Sequence, residues 1–423
     1  MAIPVIGYAG MTHLGLNSAA AAAEKGHSVV CFDPDEGCVV ALRNGDLLVV
    51  ESGLAELFAR NKERLKITSD ASVLAGCDVV YVAPDVPTDD SGASDIAPVT
   101  VLTSKVSAAM RSDGVMVILS QVPPGFTRSL RMAPERLFYQ VETLIFGRAV
   151  ERALHPERFI IGCADPSRPL PTPLAAFLDS FGCPVLPMRY ESAELAKISI
   201  NMFLVASVTT SNTLAEVCEK IGADWSEIAP ALRLDRRIGA HAYLNPGLGI
   251  AGGNLERDLA TVVRFGDALG TDVGLVRAFQ ANSRYRCHWA LRRLHETVLS
   301  CVPKPRIAVL GLSYKEDTAS TKNSPSLALI GSLRPFEIIV FDPVVRANPE
   351  WHPRLAQASS ALSACEGADV LMVMTPWGEF RGLDVSAVAA ALSGRVVIDP
   401  YGMLDGAACR AAGLMHHRLG AAD

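Results

Sequence analysis

After Met1-Ala2 the chain reads Ile3-Pro4-Val5-Ile6-Gly7-Tyr8, turns through Gly10-Met11-Thr12-His13-Leu14-Gly15 and continues into the alanine-rich stretch Leu16–Lys25. An apolar run, a glycine turn and a helix-forming run predict a strand, a tight turn and a helix. The turn has GxGxxG spacing, the arrangement that binds dinucleotides at the start of a βαβ unit. Its first glycine allows the turn, the second lets the backbone approach a pyrophosphate, and the third lets helix pack on strand. Thr12 stands in the middle glycine position. Its side chain crowds the approach, and its hydroxyl offers a donor to a phosphate oxygen. The helix start at His13 and Leu14 supplies free N–H groups and a positive dipole end. His27–Phe32 reads as the next strand, and Asp33 ends it where an acid bonds ribose hydroxyls and repels a 2′-phosphate. The pattern points to NAD, with a βαβ turn that binds no cofactor as the alternative that Thr12 leaves open.

Working outward, Asp78–Ala83 and Val115–Ser120 read as further strands, and Arg158–Gly162 and Val185–Pro187 as later strands of the same layer. Strands alternating with helices at this spacing predict a parallel sheet covered on both faces. No Gly or Pro falls between Ser192 and Lys220, and Leu195, Ile198, Met202, Val205 and Val208 recur at helical spacing, so this stretch reads as one long helix. The glycine-rich loop Asn245–Gly253 interrupts the helical middle section. After Val302–Pro305 the alternation returns in Arg306–Leu310, Glu337–Phe341, Asp369–Met374 and Arg395–Ile398. The expected fold is α/β: two Rossmann-like α/β domains joined by a central helical domain with one long helix. The expected domains are residues 1–189, 190–301 and 302–423.

Of 423 residues, 49% are hydrophobic and 20% charged, with a formal net charge of -6. Those fractions exclude a disordered chain. The acidity argues against nucleic acid as a partner, since a phosphate-binding surface is usually basic. Apolar runs such as Val115–Leu119 and Val370–Met374 fall far short of the roughly 20 residues that span a bilayer, so no membrane partner is expected. The N-terminus lacks the basic n-region of a signal peptide. Ten cysteines are scattered without close CxxC pairs. These features predict a cytoplasmic protein with buried thiols and no metal site.

Further segments carry a resemblance that runs nearly the full length. They are Val86-Pro87-Thr88-Asp89, Ser120-Gln121-Val122-Pro123-Pro124-Gly125, Glu194-Leu195-Ala196-Lys197 with Asn201, and Cys218-Glu219-Lys220-Ile221-Gly222-Ala223-Asp224. Later come Asp235-Arg236-Arg237-Ile238-Gly239, Pro246-Gly247-Leu248-Gly249, Leu310-Gly311-Leu312-Ser313-Tyr314-Lys315 and Asn323-Ser324-Pro325-Ser326. In this order they resemble the UDP-glucose/GDP-mannose dehydrogenase family, which oxidises the sugar of a nucleotide-sugar with NAD. The resemblance implies NAD bound through Gly10, Thr12, His13, Leu14, Gly15, Asp33, Pro87, Thr88 and Lys322. Lys322 stands where an arginine usually reaches phosphates, keeping the charge and losing the bidentate fork. It implies a UDP-sugar held by Lys197, Asn201, Arg237, Tyr243, Gly249, Gly252, Gly253 and Lys315, and a homodimer through the central helices. Lys197, Asn201 and Asp258 match the family's residues for the first proton transfer. By themselves Lys197 reads as a lysine on a solvated helix face, Asp258 as a helix N-cap, and Arg237 and Lys315 as surface charge.

The departures from the family pattern concern its second oxidation. There the glycine loop leads to a cysteine that traps the aldehyde intermediate, and Asn254 stands in that position. An amide is not a usable nucleophile, whereas a thiolate is. Gln121 takes the place of a threonine near the nicotinamide. Glu142 is kept, while Phe146 replaces a second glutamate. The expected activity is NAD-dependent oxidation of a nucleotide-sugar alcohol without the cysteine-dependent step to a uronic acid. A redox-neutral epimerase using NAD transiently and a non-catalytic nucleotide-sugar-binding protein are the alternatives.

Overall fold

The computed structural model describes residues 3–47, 49–89, 92 and 94–422. It divides into two compact units, the first ending at Ile200 and the second beginning at Asn201.

The first unit is built on eight strands: β1 (Ile6–Ala9), β2 (Val29–Phe32), β3 (Leu65–Thr68), β4 (Val79–Val82), β5 (Val115–Ile118), β6 (Leu137–Gln140), β7 (Phe159–Cys163) and β8 (Val185–Arg189). Their order is β3-β2-β1-β4-β5-β6-β7-β8. Strand order reverses between β1 and β4, which opens a crevice beyond their carboxyl ends. The layer is not wholly parallel as expected, because β7 runs antiparallel to β6. Both faces are covered, so the strands read as continuous apolar runs and not as alternation. Ile6, Tyr8, Cys31 and Tyr81 pack on one face, and Val30, Phe32, Val80 and Val82 on the other. Helix α1 (His13–Glu24) lies on the first face through Leu14, Leu16 and its alanines, all buried. Alanine favours helix and is small enough to bring the helix close to the sheet. Helix α2 (Ala97–Ala109) covers the second face with Val99, Leu102 and Val106.

Helix α3 (Tyr190–Ile221) is the long helix, 32 residues without a breaker. Its first turns belong to the first unit: Tyr190 and Ala193 join the sheet core, and the Tyr190 hydroxyl donates to the Leu137 carbonyl at 2.7 Å. One expectation needs correction here. By length and composition alone α3 is apolar enough to cross a bilayer, although 33% of its most apolar window is buried in the fold. It also buries Glu194, Asn201, Asn212 and Glu219.

In the second unit, α4 (Trp225–Leu234), α5 (Asn254–Leu269), α6 (Gly274–Cys287) and α7 (Trp289–Leu294) precede six strands. These are β9 (Arg306–Leu310), β10 (Glu337–Phe341), β11 (Leu355–Gln357), β12 (Val370–Val373), β13 (Val396–Ile398) and β14 (Met415–His417). The order β11-β10-β9-β12-β13-β14, all parallel, repeats the doubly wound arrangement of the first unit. Leu248 of the glycine loop and Trp289 and Leu294 of α7 pack on one face of this sheet.

Glu219, near the end of α3, gathers the second unit. It accepts from Trp289 Nε1 at 3.0 Å, from Gly420 N at 3.0 Å and from Arg293 at 3.3 Å. Arg286, fully buried, lies 3.1 Å from Glu216 and 3.7 Å from Glu219. It is held by charge more than by aligned hydrogen bonds. The segment 418–421 is stitched to the same place: Arg418 pairs with Asp224, Trp225 N donates to Gly420 O at 2.8 Å, and Ala421 bridges to Asp224. Glu219→Ala strands the buried guanidinium and the indole N–H, and is expected to cost about 3–5 kcal/mol. Denaturant unfolding checks this, and an unchanged midpoint would mean that Glu216 alone carries Arg286.

Candidate functional site

The nucleotide loop leaves β1 at Gly10, whose φ of 95 and close neighbours both require glycine. A Cβ there would stand 2.8 Å from Pro84 N, and one on Gly15 would stand 1.9 Å from Gly10 O. The loop and the segment leaving β4 are therefore in direct contact. Thr12 is the link: its Oγ1 accepts from Asp85 N at 3.0 Å and lies 3.2 Å from the Ala83 carbonyl. The threonine that crowds the motif thus fastens two sheet-end segments together.

Asp33 accepts from Met11 N at 2.7 Å through one oxygen and from Asp35 N at 2.9 Å through the other. A carboxylate has about four lone-pair sites, so half remain for ribose hydroxyls. The residues present fit a dinucleotide: close backbone approach, a helix N-terminus and an acid with spare capacity. Asp85 is a residue that the sequence reading did not single out. Desolvation pushes its carboxyl pKa up, opposed by the His13 side chain, the Thr12 hydroxyl and the backbone N–H groups of Leu14 and His13. A charged residue just past the end of a central parallel strand is the signal that could have found it. Pro87 and Thr88 lie further along that segment, where Thr88 bridges to Ser94.

A second segment covers the loop. Glu51, its side chain fully buried, accepts from His13 Nε2 at 2.9 Å, from Gly147 N at 3.1 Å and from Ala149 N at 3.0 Å. Phe146 stacks on the His13 ring with centroids 4.1 Å apart. The structure therefore places Phe146 on the nucleotide loop. In the same segment, Glu142 lies 3.3 Å from Lys197 Nζ. Lys197 is mostly buried and paired, so the solvated-lysine reading does not hold. One turn earlier on α3, buried Glu194 accepts from Gly125 N at 2.6 Å and Thr127 N at 2.8 Å, fixing the segment that follows Gln121.

In the second unit the glycine loop is anchored on three sides. Gly247 N donates to Asn212 Oδ1 at 2.7 Å, Ile250 N to Ser283 Oγ at 2.8 Å, and Gly252 N to Lys322 O at 3.1 Å. Gly252 is pressed on the Tyr314 ring, where a Cβ would stand 2.4 Å from Cε2, and the Lys322 side chain runs beside Gly253. Lys315 Nζ lies 5.9 Å from the Tyr314 ring centre. Asn254 is the first residue of α5 and is exposed. Asp258 lies one turn on, along the same face. It is buried inside α5 and is not an N-cap. Asn201 Nδ2 donates to Asp258 Oδ2 at 2.5 Å. Beside Gly247 and Gly249 opens a cavity of about 570 Å³, lined also by Trp225, Arg233, Arg381 and Arg418. Not every expected residue gathers here. Arg237 is 89% exposed and folds back on Asp235, and the half-exposed Tyr243 meets Ser211 through its carbonyl.

Three family models match in series: the NAD binding domain of the UDP-glucose/GDP-mannose dehydrogenase family over residues 1–171, its central domain over 191–284, and its UDP binding domain over 308–406. UDP-glucose 6-dehydrogenase of Rhizobium meliloti (strain 1021) is 30% identical over 408 residues, covering 92% of this chain and 93% of that protein. The chain belongs to the UDP-glucose/GDP-mannose dehydrogenase family. UDP-glucose 6-dehydrogenase TuaD of Bacillus subtilis (strain 168) is 29% identical over 430 residues, covering 97% of this chain and 92% of that protein. The structure of a UDP-glucose dehydrogenase from the archaeon Pyrobaculum islandicum superimposes with a TM-score of 0.86 at 25% identity, covering 100% of this chain and 98% of that one. As a nucleotide-sugar dehydrogenase family member, the chain has NAD as its cofactor and a nucleotide-sugar as its substrate.

Glu51→Ala removes the acceptor for Gly147 N, Ala149 N and His13 at once. Stability is expected to fall by about 2–4 kcal/mol. Hydrogen exchange should show the amides of Gly147 and Ala149 opening roughly tenfold faster or more, with those of β12 unaffected.

Proposed function

We propose that the chain oxidises one alcohol of a nucleotide-sugar, a UDP-sugar by its family, to the carbonyl level and has no thiol to carry it on to the acid. The observation that carries this is Asn254 at the head of α5, one turn ahead of the buried Asn201–Asp258 pair. The two cysteines nearest that loop in sequence do not substitute for a nucleophile. Burial pushes the Cys218 thiol up, and burial with the neighbouring Glu256 does the same to Cys287, so neither forms a ready thiolate.

Bound NAD supplies the hydride acceptor. The chain's own residues manage the proton and the charge. Asp258, oriented by Asn201, takes the alcohol proton, directly or through a water. Lys197, held by Glu142, sets positive charge against the alkoxide as it forms. Each turnover then gives one carbonyl, one reduced cofactor and one proton. Gln121 and Phe146, where the family pattern has a threonine and a glutamate, belong to the same loss of the second step. Gly249, Gly252, Gly253 and Lys315 hold the nucleotide-sugar, and the three arginines of the adjoining cavity suit its diphosphate.

We assign domains 1–189, 190–301 and 302–423. A homodimer through the central helices is supported by the exposed Phe203, Leu214, Val217 and Ile221 on α3; Arg237 would meet substrate only across such a dimer. All ten cysteines are free, which suits the cytoplasm.

The test is stoichiometry. With a panel of nucleotide-sugars, one NADH should appear per sugar consumed, with a carbonyl product that hydroxylamine traps. Two NADH and a uronic acid from the unaltered chain would overturn the proposal, and conversion without net NADH would shift it to epimerisation. Asn254→Cys is expected to gain acid product and a second NADH. Lys197→Ala and Asp258→Asn should each lower kcat by about 10²–10⁴-fold, measured by NADH absorbance.

A further inference from the structure

Two short helices between β2 and β3, Glu36–Arg43 and Leu54–Arg60, bury Leu42 and Phe58 in the same core face as Leu65 of β3. They do not close completely. Ala55 and Ala59, one turn apart on the second helix, present only methyl groups, and a cavity of about 380 Å³ remains against Leu42, Phe58 and Leu65. Protein interiors leave few spaces larger than a water molecule. Sites for small molecules, by contrast, run to about 300–1,000 Å³ and are mostly apolar with a few polar groups. The cavity fits the second description. It shares no lining residue with the nucleotide loop, with Asp33 or with the segment beyond β4.

The charged groups on its wall have one sign. Arg43 and Lys62 line the cavity, and no carboxylate does. Both are exposed residues, as long basic side chains are when their stems cover apolar surface and their heads stay in water. Arg43 is held in place. Its Nε and Nη2 donate to the Ile67 carbonyl of β3, the edge strand, at 3.2 and 2.9 Å, which leaves Nη1 uncommitted. The acids nearest in sequence, Asp46 and Glu63, are exposed and lie outside the lining. We propose that this cavity is a binding site for a small amphipathic carboxylate, its apolar body against Leu42, Phe58 and Leu65 and its carboxylate between Arg43 and Lys62. The apolar walls select a body without hydrogen-bonding groups, because a donor or acceptor buried there would go unpaired. Two cations without an acid select the head. The inference stands on the first unit alone and needs neither NAD nor the fate of the sugar carbonyl.

The test is equilibrium dialysis of decanoate, decanol and decyltrimethylammonium against the full chain, below the concentrations at which they aggregate. Decanoate should bind at one site per chain, about tenfold or more tighter than the alcohol, with the cation weaker than either. Ala59→Trp fills the cavity from an exposed helix position and should abolish saturable decanoate binding. Arg43→Gln combined with Lys62→Gln should bring decanoate down to the level of decanol. NAD titration shows that each variant keeps its fold, and Ala55→Phe fills the same space if Ala59→Trp loses it. Decanoate bound as tightly by the filled variant as by the unaltered chain sits elsewhere and overturns the proposal. Equal binding of the alcohol or the cation overturns it too, as does the absence of any saturable site.

Discussion

Backbone N–H groups with no partner in their own helix or strand set the terms for the carboxyl ends of both sheets. Each set is met by a carboxylate brought in from elsewhere. Asp33 takes Met11, Glu51 takes Gly147 and Ala149, and Glu194 takes Gly125 and Thr127. The second unit repeats the device with Asp342, which accepts from Leu312, Ser313, Val344, Val345 and Trp377 Nε1. Loops at the carboxyl ends of parallel strands cannot satisfy their own amides, and leaving them bare would cost more than importing an acid. The same need makes these loops hospitable to phosphates. Asp33 and Asp342 sit at equivalent places after the second strand of their sheets, yet differ in what remains. Asp33 keeps lone pairs to spare, whereas Asp342 is saturated and buried, a structural bolt.

The groups assigned to chemistry are held in pairs. Lys197 has Glu142, and Asn201 has Asp258. The carboxylate of Glu142 aims the lysine, and Asp258 has the Asn201 amide on one oxygen and Arg257 Nε 3.4 Å from the other. Nothing in these pairs requires sulfur. Thiol chemistry would act only on the product of the first oxidation, so a residue like Asn254 can remove it and leave the earlier step's machinery standing.

Much of the fold was legible because buried parallel strands are unbroken apolar runs and the long helix has no breaker for 32 residues. What escaped were short or polar strands. β3 is Leu-Lys-Ile-Thr on a sheet edge, half of it outside the core, and β11 and β14 are three residues each. β6 hides behind Pro134, and its antiparallel neighbour β7 looks like any other run, since strand direction leaves no mark on composition. In the site, motif residues could be placed, but contacts made at long range could not. Nothing in the spacing links Thr12 to Asp85, 73 residues away, or Glu51 to Gly147, 96 away. Asp258 was ambiguous for a local reason: a polar residue soon after a glycine loop suits a helix start, and only the true start at Asn254 puts it inside.

The stitching of residues 418–421 to the end of α3 bears on how the protein is made. Gly420 and Glu219 are 201 positions apart, which at about 5–20 residues per second is roughly 10–40 s of synthesis. Throughout that interval Glu219 waits with one acceptor unfilled, and Trp225 N lacks the Gly420 carbonyl that accepts from it. The second unit closes only after Arg418 has cleared the ribosomal tunnel. A nascent chain arrested short of it leaves Trp225 uncovered on the side that Gly420 closes.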